Sequence, residues 1–275
     1  MQIEAITRMG FVPVPYPTAL RACVRQAMKS WKDFCQLRQE DKQQLSLGDR
    51  IKDIGYVLRD EKGLRKDSKE FFHANLIMPD EVKARARDIF DQRAVAFIDA
   101  TDVLLAAIEP TIQAFAREVE GQFDLSGFES EVMKSQKKNW TFRYLHYFPS
   151  DEGIEIAHAH TDRGGFTLHM SESHPGAEYL GFDKNWKPLP VSESETIIFP
   201  SMGLQYRSDS KLKALCHRVL ATPEAAREGR YSMVGFIDFI TGHRFNDAQF
   251  RLQDFEPGFN YQMSDEEFKK FFIPR

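Results

Sequence analysis

The chain has 275 residues, 42% of them hydrophobic and 28% charged, which fits a globular protein of one large domain or two small ones. Its 37 basic and 41 acidic residues give a formal net charge of −4. Because no basic block stands out, neither nucleic acid nor an anionic membrane is expected as a main partner. Separately, we expect a small-molecule substrate.

The cysteines and the apolar runs bear on the compartment. Cys23, Cys35 and Cys216 have neither metal-binding nor redox spacing, which favours free thiols in a reducing environment. The first residues lack a charged-then-apolar leader, and no run approaches the roughly 18 apolar residues of a transmembrane helix. We therefore expect a cytoplasmic protein that does not enter the membrane.

The first third of the chain predicts mainly helices. Residues 3–16 are typical of a short strand region that ends in turn residues, and Thr18 is a plausible N-cap for a helix over about 19–38. That helix has one apolar face, made by Leu20, Val24, Met28, Trp31 and Phe34.

A second helical pattern covers about 79–118, beginning at Pro79 and Asp80. We expect a break or kink near Glu109, because Pro110 cannot donate to the helical hydrogen-bond ladder. Without repeats or a low-complexity linker, these helices are expected to pack against a barrel.

From Trp140 onward the pattern changes to short strands. The stretch 140–149 alternates and is rich in aromatic residues, which favours a strand. Further strands are predicted near 165–171, 176–181, 195–199, 204–207, 214–220 and 231–238. Many short strands without intervening helices favour a double-sheet jelly roll.

The predicted fold is therefore mainly β with α: a double-stranded β-helix (jelly-roll) core with a helical N-terminal region packed against it. We divide the chain into a helical region at 1–130, the core at 131–242 and a C-terminal segment at 243–275 near the site's mouth, all in one compact unit. Within the last segment, Ser264 has the capping-box spacing of a short helix.

The residues that point to chemistry lie between Ala157 and Ser232. His160 and Asp162 stand at i and i+2, so in a strand they share one face and can reach one ion together. His217 would complete the set from a distant strand. Two imidazoles and one carboxylate leave open positions on a metal, the ligand set of non-haem Fe(II) oxygenases. Arg230 with Ser232, one strand further on, suits the carboxylate of a bound acid.

Read together, these motifs resemble the Fe(II)/2-oxoglutarate-dependent dioxygenases, in particular the isopenicillin-N-synthase-like group of iron/ascorbate oxidoreductases. The matching pieces stand in family order and spacing. They are His160-Thr161-Asp162 with Gly165-Phe166-Thr167-Leu168, then Trp186-Lys187-Pro188-Leu189, Gly203, Ser210-Lys211, His217-Arg218-Val219 and Arg230-Tyr231-Ser232.

The resemblance implies an oxidoreductase. His160, Asp162 and His217 would be both the metal ligands and the catalytic residues, binding Fe(II). The 2-oxoglutarate co-substrate would chelate the metal, with its far carboxylate on Arg230 and Ser232. O₂ would be consumed, succinate and CO₂ released, and the substrate oxidised, usually by hydroxylation. Ascorbate is a candidate reductant for the iron.

One departure concerns the co-substrate. Phe148 stands where the family has a tyrosine whose hydroxyl helps hold 2-oxoglutarate. Tyr144 or Tyr147 could substitute, or the co-substrate could bind differently. The departure keeps a 2-oxoglutarate-independent iron oxidase of the same family as an alternative.

Other residues and functions compete with this interpretation. His158, on the predicted strand face of His160, could contact the substrate or a ligand, whereas His169 and His174 are predicted to lie in loops or face solvent, and His73 to be structural. Asp162 could instead belong to a turn before Arg163. The rival anchors Arg218 and Arg227 lack a serine at i+2.

The same three ligands could hold zinc and drive hydrolysis. A metal isomerase on a double-stranded helix and a non-catalytic metal- or small-molecule-binding scaffold also stay open. The substrate, the reaction outcome among hydroxylation, desaturation and cyclisation, and the oligomeric state do not follow from the sequence.

Overall fold

Two antiparallel β-sheets face each other, and helices cover the outer face of the larger sheet. The computed structural model describes residues 3–47, 54–59, 68–75, 80–239, 242–246 and 256–275, without the side chains of 136–138. Its helices are α1 Ala5–Met9, α2 Thr18–Cys35, α3 Gln39–Gln43, α4 Asp80–Asp88, α5 Gln92–Phe123, α6 Phe128–Asn139, α7 Met202–Arg207, α8 Pro223–Glu228 and α9 Asp265–Lys269.

The strands are β1 Val12–Pro15, β2 Gly55–Arg59, β3 Lys69–Asn75, β4 Trp140–Tyr147, β5 Glu155–Thr161, β6 Phe166–Glu172, β7 Ala177–Leu180, β8 Trp186–Pro188, β9 Glu195–Pro200, β10 Cys216–Leu220, β11 Arg230–Ile237, β12 His243–Phe245 and β13 Phe272–Pro274. The major sheet has the order β1-β9-β6-β11-β4-β3-β2, and the minor sheet has the order β5-β10-β7-β8. The strands β12 and β13 form a separate ribbon.

The two sheets enclose a sandwich interior. Leu145 and Tyr147 of the major sheet share an apolar cluster with Ile156 and Val219 of the minor sheet. Because side chains alternate along a strand, residues such as Tyr144 point to the other side, toward the helices. The predicted jelly-roll core with a helical N-terminal region is confirmed.

The outer face of the major sheet packs on α2 and α5. Trp31 of α2 is fully buried, stacks on Phe34 with ring centroids 5.5 Å apart, and donates its indole N–H to the Leu145 carbonyl at 3.1 Å. This hydrogen bond satisfies the buried polar end of the indole and fixes the helix to the sheet. Helix α2 begins at Thr18 itself, with Pro17 as N-cap, and ends at Cys35, slightly shorter than predicted.

Several local predictions were wrong. Residues 3–16 contain helix α1 before the strand β1, and residues 204–207 belong to helix α7 instead of a strand. In α7, the side chains of Met202, Leu204 and Gln205 are buried on one face of a short helix. The predicted segment 204–207 has only four residues, too few for its apolar pattern to distinguish a helix from a strand.

Of the expected break or kink near Glu109, the break is wrong, because α5 runs unbroken across Pro110. A proline inside a helix costs roughly 3 kcal/mol. Burial of neighbouring apolar side chains such as Ile108 and Ile112 offsets that cost. The break occurs earlier, where Asp91 caps α5 by accepting a hydrogen bond from the Arg93 backbone N–H. The predicted start at Pro79 lies outside the described residues.

Two further predictions concern the ends and the thiols. The capping box at Ser264 is present, with the Ser264 and Glu267 side chains each accepting from the other's backbone N–H. Cys23, Cys35 and Cys216 are free thiols, as predicted. Of the helices in the described part of the chain, none combines the length and the apolar character needed to cross a bilayer.

Candidate metal centre

Two neighbouring strands of the minor sheet and the turn after one of them bring three potential ligands together. His217 at the start of β10 pairs directly with His160 near the end of β5, and their ring centroids lie 4.3 Å apart. Asp162 follows β5, with Oδ1 3.5 Å from Nε2 of His160 and Oδ2 3.9 Å from Nε2 of His217. One ligand atom from each residue lies within 4.8 Å of the other two, so a single ion could bind all three.

The backbone orients both imidazoles. Nδ1 of His160 lies 2.6 Å from the His158 carbonyl oxygen, and Nδ1 of His217 lies 3.2 Å from the Leu215 carbonyl oxygen. A carbonyl only accepts, so these contacts assign the proton to Nδ1 of each ring. Nε2 then carries the lone pair and faces the metal position, as in metal sites whose ligand histidines are held by a second hydrogen bond.

The carboxylate of Asp162 is held in a similar way. Its Oδ2 accepts a hydrogen bond from the Thr167 hydroxyl at 2.6 Å, and the Thr167 oxygen also lies 3.1 Å from the Ser201 hydroxyl. The Asp162 carbonyl accepts from the Met202 backbone N–H at 2.8 Å. These bonds fix the turn after β5. Asp162 therefore lies in a turn, as the alternative predicted, and its side chain is still positioned to bind a metal.

The electrostatics of the three residues favour a bound cation. Burial alone would raise the pKa of Asp162, but His217 and His160 hold it well below its usual range. Burial and the nearby His160 lower the pKa of His217 to about 4. For His160, burial lowers the pKa, yet the hydrogen bond with Asp162 outweighs it and raises the pKa overall. At neutral pH the site thus holds an ionised carboxylate and a neutral His217, ready to bind a metal.

This donor set fits Fe(II). Two imidazole nitrogens and one carboxylate oxygen bind an ion through three positions and leave others for exogenous ligands. Zinc accepts the same donors.

Arg230 and Ser232 lie on the inner face of the major sheet. They pair with Tyr147 and Leu145 of β4, whose side chains belong to the interior cluster. Both are buried, with only 1% of Arg230 and 2% of Ser232 accessible. The structure therefore brings Arg230, Ser232 and Tyr147 to the same interior, where an acid could bind.

Tyr144 is not part of this group, which corrects its predicted role in holding the co-substrate. It lies one residue out of phase with Tyr147 and is completely buried against the helices. Its ring lies 5.0 Å from Phe97 and 6.0 Å from Trp31. The alternation of β4 thus leaves Tyr147 as the tyrosine on the inner face.

His158 does not share the inward direction of His160. One residue of β10, Arg218, lies opposite two residues of β5, His158 and Ala159, because His217 pairs with His160 while Val219 pairs with Ala157. This bulge reverses the alternation, so His158 is half-exposed and lies 3.3 Å from Glu155, which binds Arg218 on the other side. The predicted common face is wrong for this reason.

The sequence interpretation also missed two interior residues. His169 was predicted to lie in a loop or face solvent, but it is buried in β6 beside Glu172, which pairs with Arg230. For His169, the i and i+2 spacing with Thr167 along a strand could have indicated that its side chain faces the interior.

His174 is partly buried, and its carbonyl accepts a hydrogen bond from Arg230. His73 lies buried in β3 and accepts a hydrogen bond from Arg143.

A second group with metal-ligand atoms lies on the helical side. Cys35, Glu70 and His146 each offer one atom within 4.8 Å of the others. However, Glu70 already accepts hydrogen bonds from Lys42 at 2.5 Å and Tyr56 at 2.6 Å. The Lys42 ammonium takes the place of a cation, so we interpret this group as a structural network.

Comparisons with known proteins relate this part of the chain to one superfamily. Residues 140–239 match the sequence model of the 2OG-Fe(II) oxygenase superfamily. A 2-oxoglutarate-dependent dioxygenase of Didymella fabae is 30% identical over 112 residues, a match that covers 38% of this chain and 33% of the relative. The aligned part thus spans about a third of that relative's length.

Two solved structures share the fold. A full-length Neurospora crassa protein, in complex with alpha-KG (2-oxoglutarate) and 5-formyluracil, superposes with a TM-score of 0.72 at 16% identity, covering 99% of this chain and 84% of that one. The Arabidopsis thaliana dioxygenase for auxin oxidation 1, in a binary complex with 2-oxoglutarate, gives 0.68 at 20% identity, covering 86% of each chain. At these identities the likeness is one of fold.

Proposed function

We propose that the chain, whose residues 140–239 match the 2OG-Fe(II) oxygenase superfamily, is a non-haem Fe(II)- and 2-oxoglutarate-dependent oxygenase that oxidises a small molecule, by hydroxylation in the first instance. The observation that carries the proposal is the convergence of His160, Asp162 and His217 on one ion-sized position. Arg230 and Ser232, buried on the facing sheet, support the choice of an oxo acid as co-substrate.

In this proposal the iron, when bound, supplies the O₂ and C–H chemistry, driven by oxidative decarboxylation of 2-oxoglutarate to succinate and CO₂. The protein's own residues bind and orient. His160, Asp162 and His217 hold the metal, and Thr167 keeps the Asp162 carboxylate in place. Arg230 and Ser232 are the donors for the far carboxylate of the oxo acid. The apolar side chains between the sheets exclude water from the reacting groups.

The small-molecule substrate is proposed from the position of the site. Asp162 is hydrogen-bonded to Thr167 of the facing sheet, so the ligands lie at the inner side of the sandwich, where a compact molecule fits more readily than a folded macromolecule. The Neurospora crassa structure, which contains 5-formyluracil besides the oxo acid, points the same way for that protein.

The test is decarboxylation of 2-oxoglutarate without a prime substrate. Purified enzyme with Fe(II) is expected to release succinate and CO₂ slowly, and His217→Ala to reduce the rate at least about 100-fold, since it removes a ligand. His158→Ala is the matched control, because His158 is half-exposed and turned away from the metal position. Equal rates in His217→Ala and wild type, or no release by iron-loaded wild type, would contradict the proposal.

A second candidate is an iron oxidase of the same family that needs no 2-oxoglutarate. The observation in its favour is that Arg230 already pairs with the carboxylate of Glu172. An oxidase would consume O₂ with its substrate and form no succinate, so the succinate assay separates the two functions.

A further inference from the structure

Glu172 reaches the interior through an irregularity in β6. Ser232 pairs with Glu172 and Val234 pairs with His169, with a register shift between Met233 and Val234. In a regular strand, residues at i and i+3 face opposite sides. The extra residue lets His169 and Glu172 share the inner face, opposite the residues predicted to hold the oxo acid.

At that position Glu172 pairs with the anchor. Arg230 donates from Nη2 to the Glu172 carboxylate and from Nε to the His174 carbonyl at 3.1 Å. Only 1% of the Arg230 side chain and 10% of the Glu172 side chain are accessible, so solvent screens the pair little. Burial tends to raise the pKa of Glu172, but His169 and Arg230 outweigh it and lower the pKa, so the carboxylate is ionised.

Two nitrogen atoms beside this pair are not fully satisfied by the residues that the structure describes. The Nη1 group of Arg230 makes no hydrogen bond with the residues that the structure describes. Nε2 of His169 lies 3.2 Å from Glu172 Oε2 but finds no aligned hydrogen-bond partner among those residues, although the side chain is more than nine-tenths buried. A buried polar nitrogen held only by a poorly aligned contact is incompletely satisfied, which points to a polar ligand at this position.

We propose that Glu172 determines the affinity and selectivity of the co-substrate site by competing with the distal carboxylate of 2-oxoglutarate for Arg230. The inference rests on the proposed function. Two carboxylates beside one guanidinium repel each other, so the oxo acid must displace Glu172 from Arg230 or share the cation with it. An oxo acid that lacks the distal carboxylate does not meet this competition.

The test is isothermal titration calorimetry of the anaerobic Fe(II)-loaded protein. The ligands are 2-oxoglutarate and 2-oxopentanoate, which has the same five carbons with a methyl group in place of the distal carboxylate. Glu172→Gln removes the charge and keeps the shape. It is expected to lower the Kd for 2-oxoglutarate about tenfold and to change the Kd for 2-oxopentanoate less than about twofold.

A matched control is Glu131→Gln, which removes a carboxylate paired with an arginine, Arg207, far from this cluster along the chain. Its two Kd values are expected to equal those of wild type. Circular dichroism and the unfolding temperature establish whether each variant folds. If Glu172→Gln does not fold, Glu172→Ala serves as a second variant that removes the charge.

The outcomes distinguish a failure of the competition by Glu172 from a failure of the proposed function. Unchanged or weaker 2-oxoglutarate binding in a folded Glu172 variant would overturn the competition, and would make Glu172 a support for Arg230 or a bystander. An equal gain for both oxo acids would also overturn it, because the effect would not involve the distal carboxylate. Failure of both oxo acids to bind any iron-loaded variant would refute the proposed function and this inference together.

Discussion

Replacing Glu70 tests how the helical region is fixed to the sheet. Glu70 is 1% exposed and accepts hydrogen bonds from Lys42 and Tyr56, while Nδ1 of His146 lies 2.8 Å from its other oxygen. Burial would raise the pKa of Glu70, but His146, Lys42 and Tyr56 together lower it from 4.5 to about 2. At 1.36 kcal/mol per unit, this shift corresponds to about 3 kcal/mol of stability.

The sign follows from the depressed pKa. The stabilisation is present above pH 4.5 and is lost as the pH falls toward 2, where the folded state also takes up the proton. Glu70→Gln is therefore expected to lower the free energy of unfolding at pH 7 by about 3 kcal/mol or more, since it also leaves the Lys42 charge buried without its carboxylate. At pH 3 the difference between variant and wild type should be smaller.

Urea denaturation followed by tryptophan fluorescence measures both values. The control is Glu129→Gln, whose partner Arg117 lies on the surface, and its denaturation midpoint should match wild type. A Glu70→Gln variant within about 0.5 kcal/mol of wild type at pH 7 would refute the reasoning, because the network would then contribute no net stability. So would a difference that is the same at pH 3 and pH 7.

Three further predictions concern the site. Metal affinity should weaken as the pH falls through the raised pKa of His160, because a proton then competes with the metal, whereas His217 takes up a proton only near pH 4. Metal titrations at several pH values measure this dependence. An affinity that does not change with pH would contradict the prediction. Thr167→Val removes the hydrogen bond to Asp162 and should weaken metal binding about tenfold in a chelator competition, whereas no change would show that the bond does not orient the ligand. Tyr144→Phe should leave the Kd for 2-oxoglutarate unchanged by calorimetry, and a weaker Kd would restore its predicted role.

The sequence was most informative where local geometry follows directly from spacing. His160 and Asp162 at i and i+2 were expected to reach one ion together, and their atoms do lie within 3.5 Å. The capping box at Ser264 depends only on residues three apart, and it forms as predicted. The strand pattern after Trp140 predicted the jelly roll, because short segments of alternating apolar and polar residues separated by turns indicate strands that bury one face.

Irregular strands account for most of what the sequence could not indicate. A bulge in β5 turns His158 outward, and a register shift in β6 brings Glu172 inward to Arg230. Bulges depend on the pairing with distant strands, so no single-strand pattern encodes them. The same dependence on tertiary packing explains why α5 continues through Pro110.

The most direct test of the central claim is an anaerobic titration of the metal-free protein with Fe(II) and 2-oxoglutarate, followed by visible absorption. We predict the metal-to-ligand charge-transfer band of a chelated oxo acid in wild type, and its loss in Asp162→Ala and His217→Ala. Iron binding without the band would move the assignment to the 2-oxoglutarate-independent oxidase. A band that persists in both variants would contradict the assignment of iron to His160, Asp162 and His217.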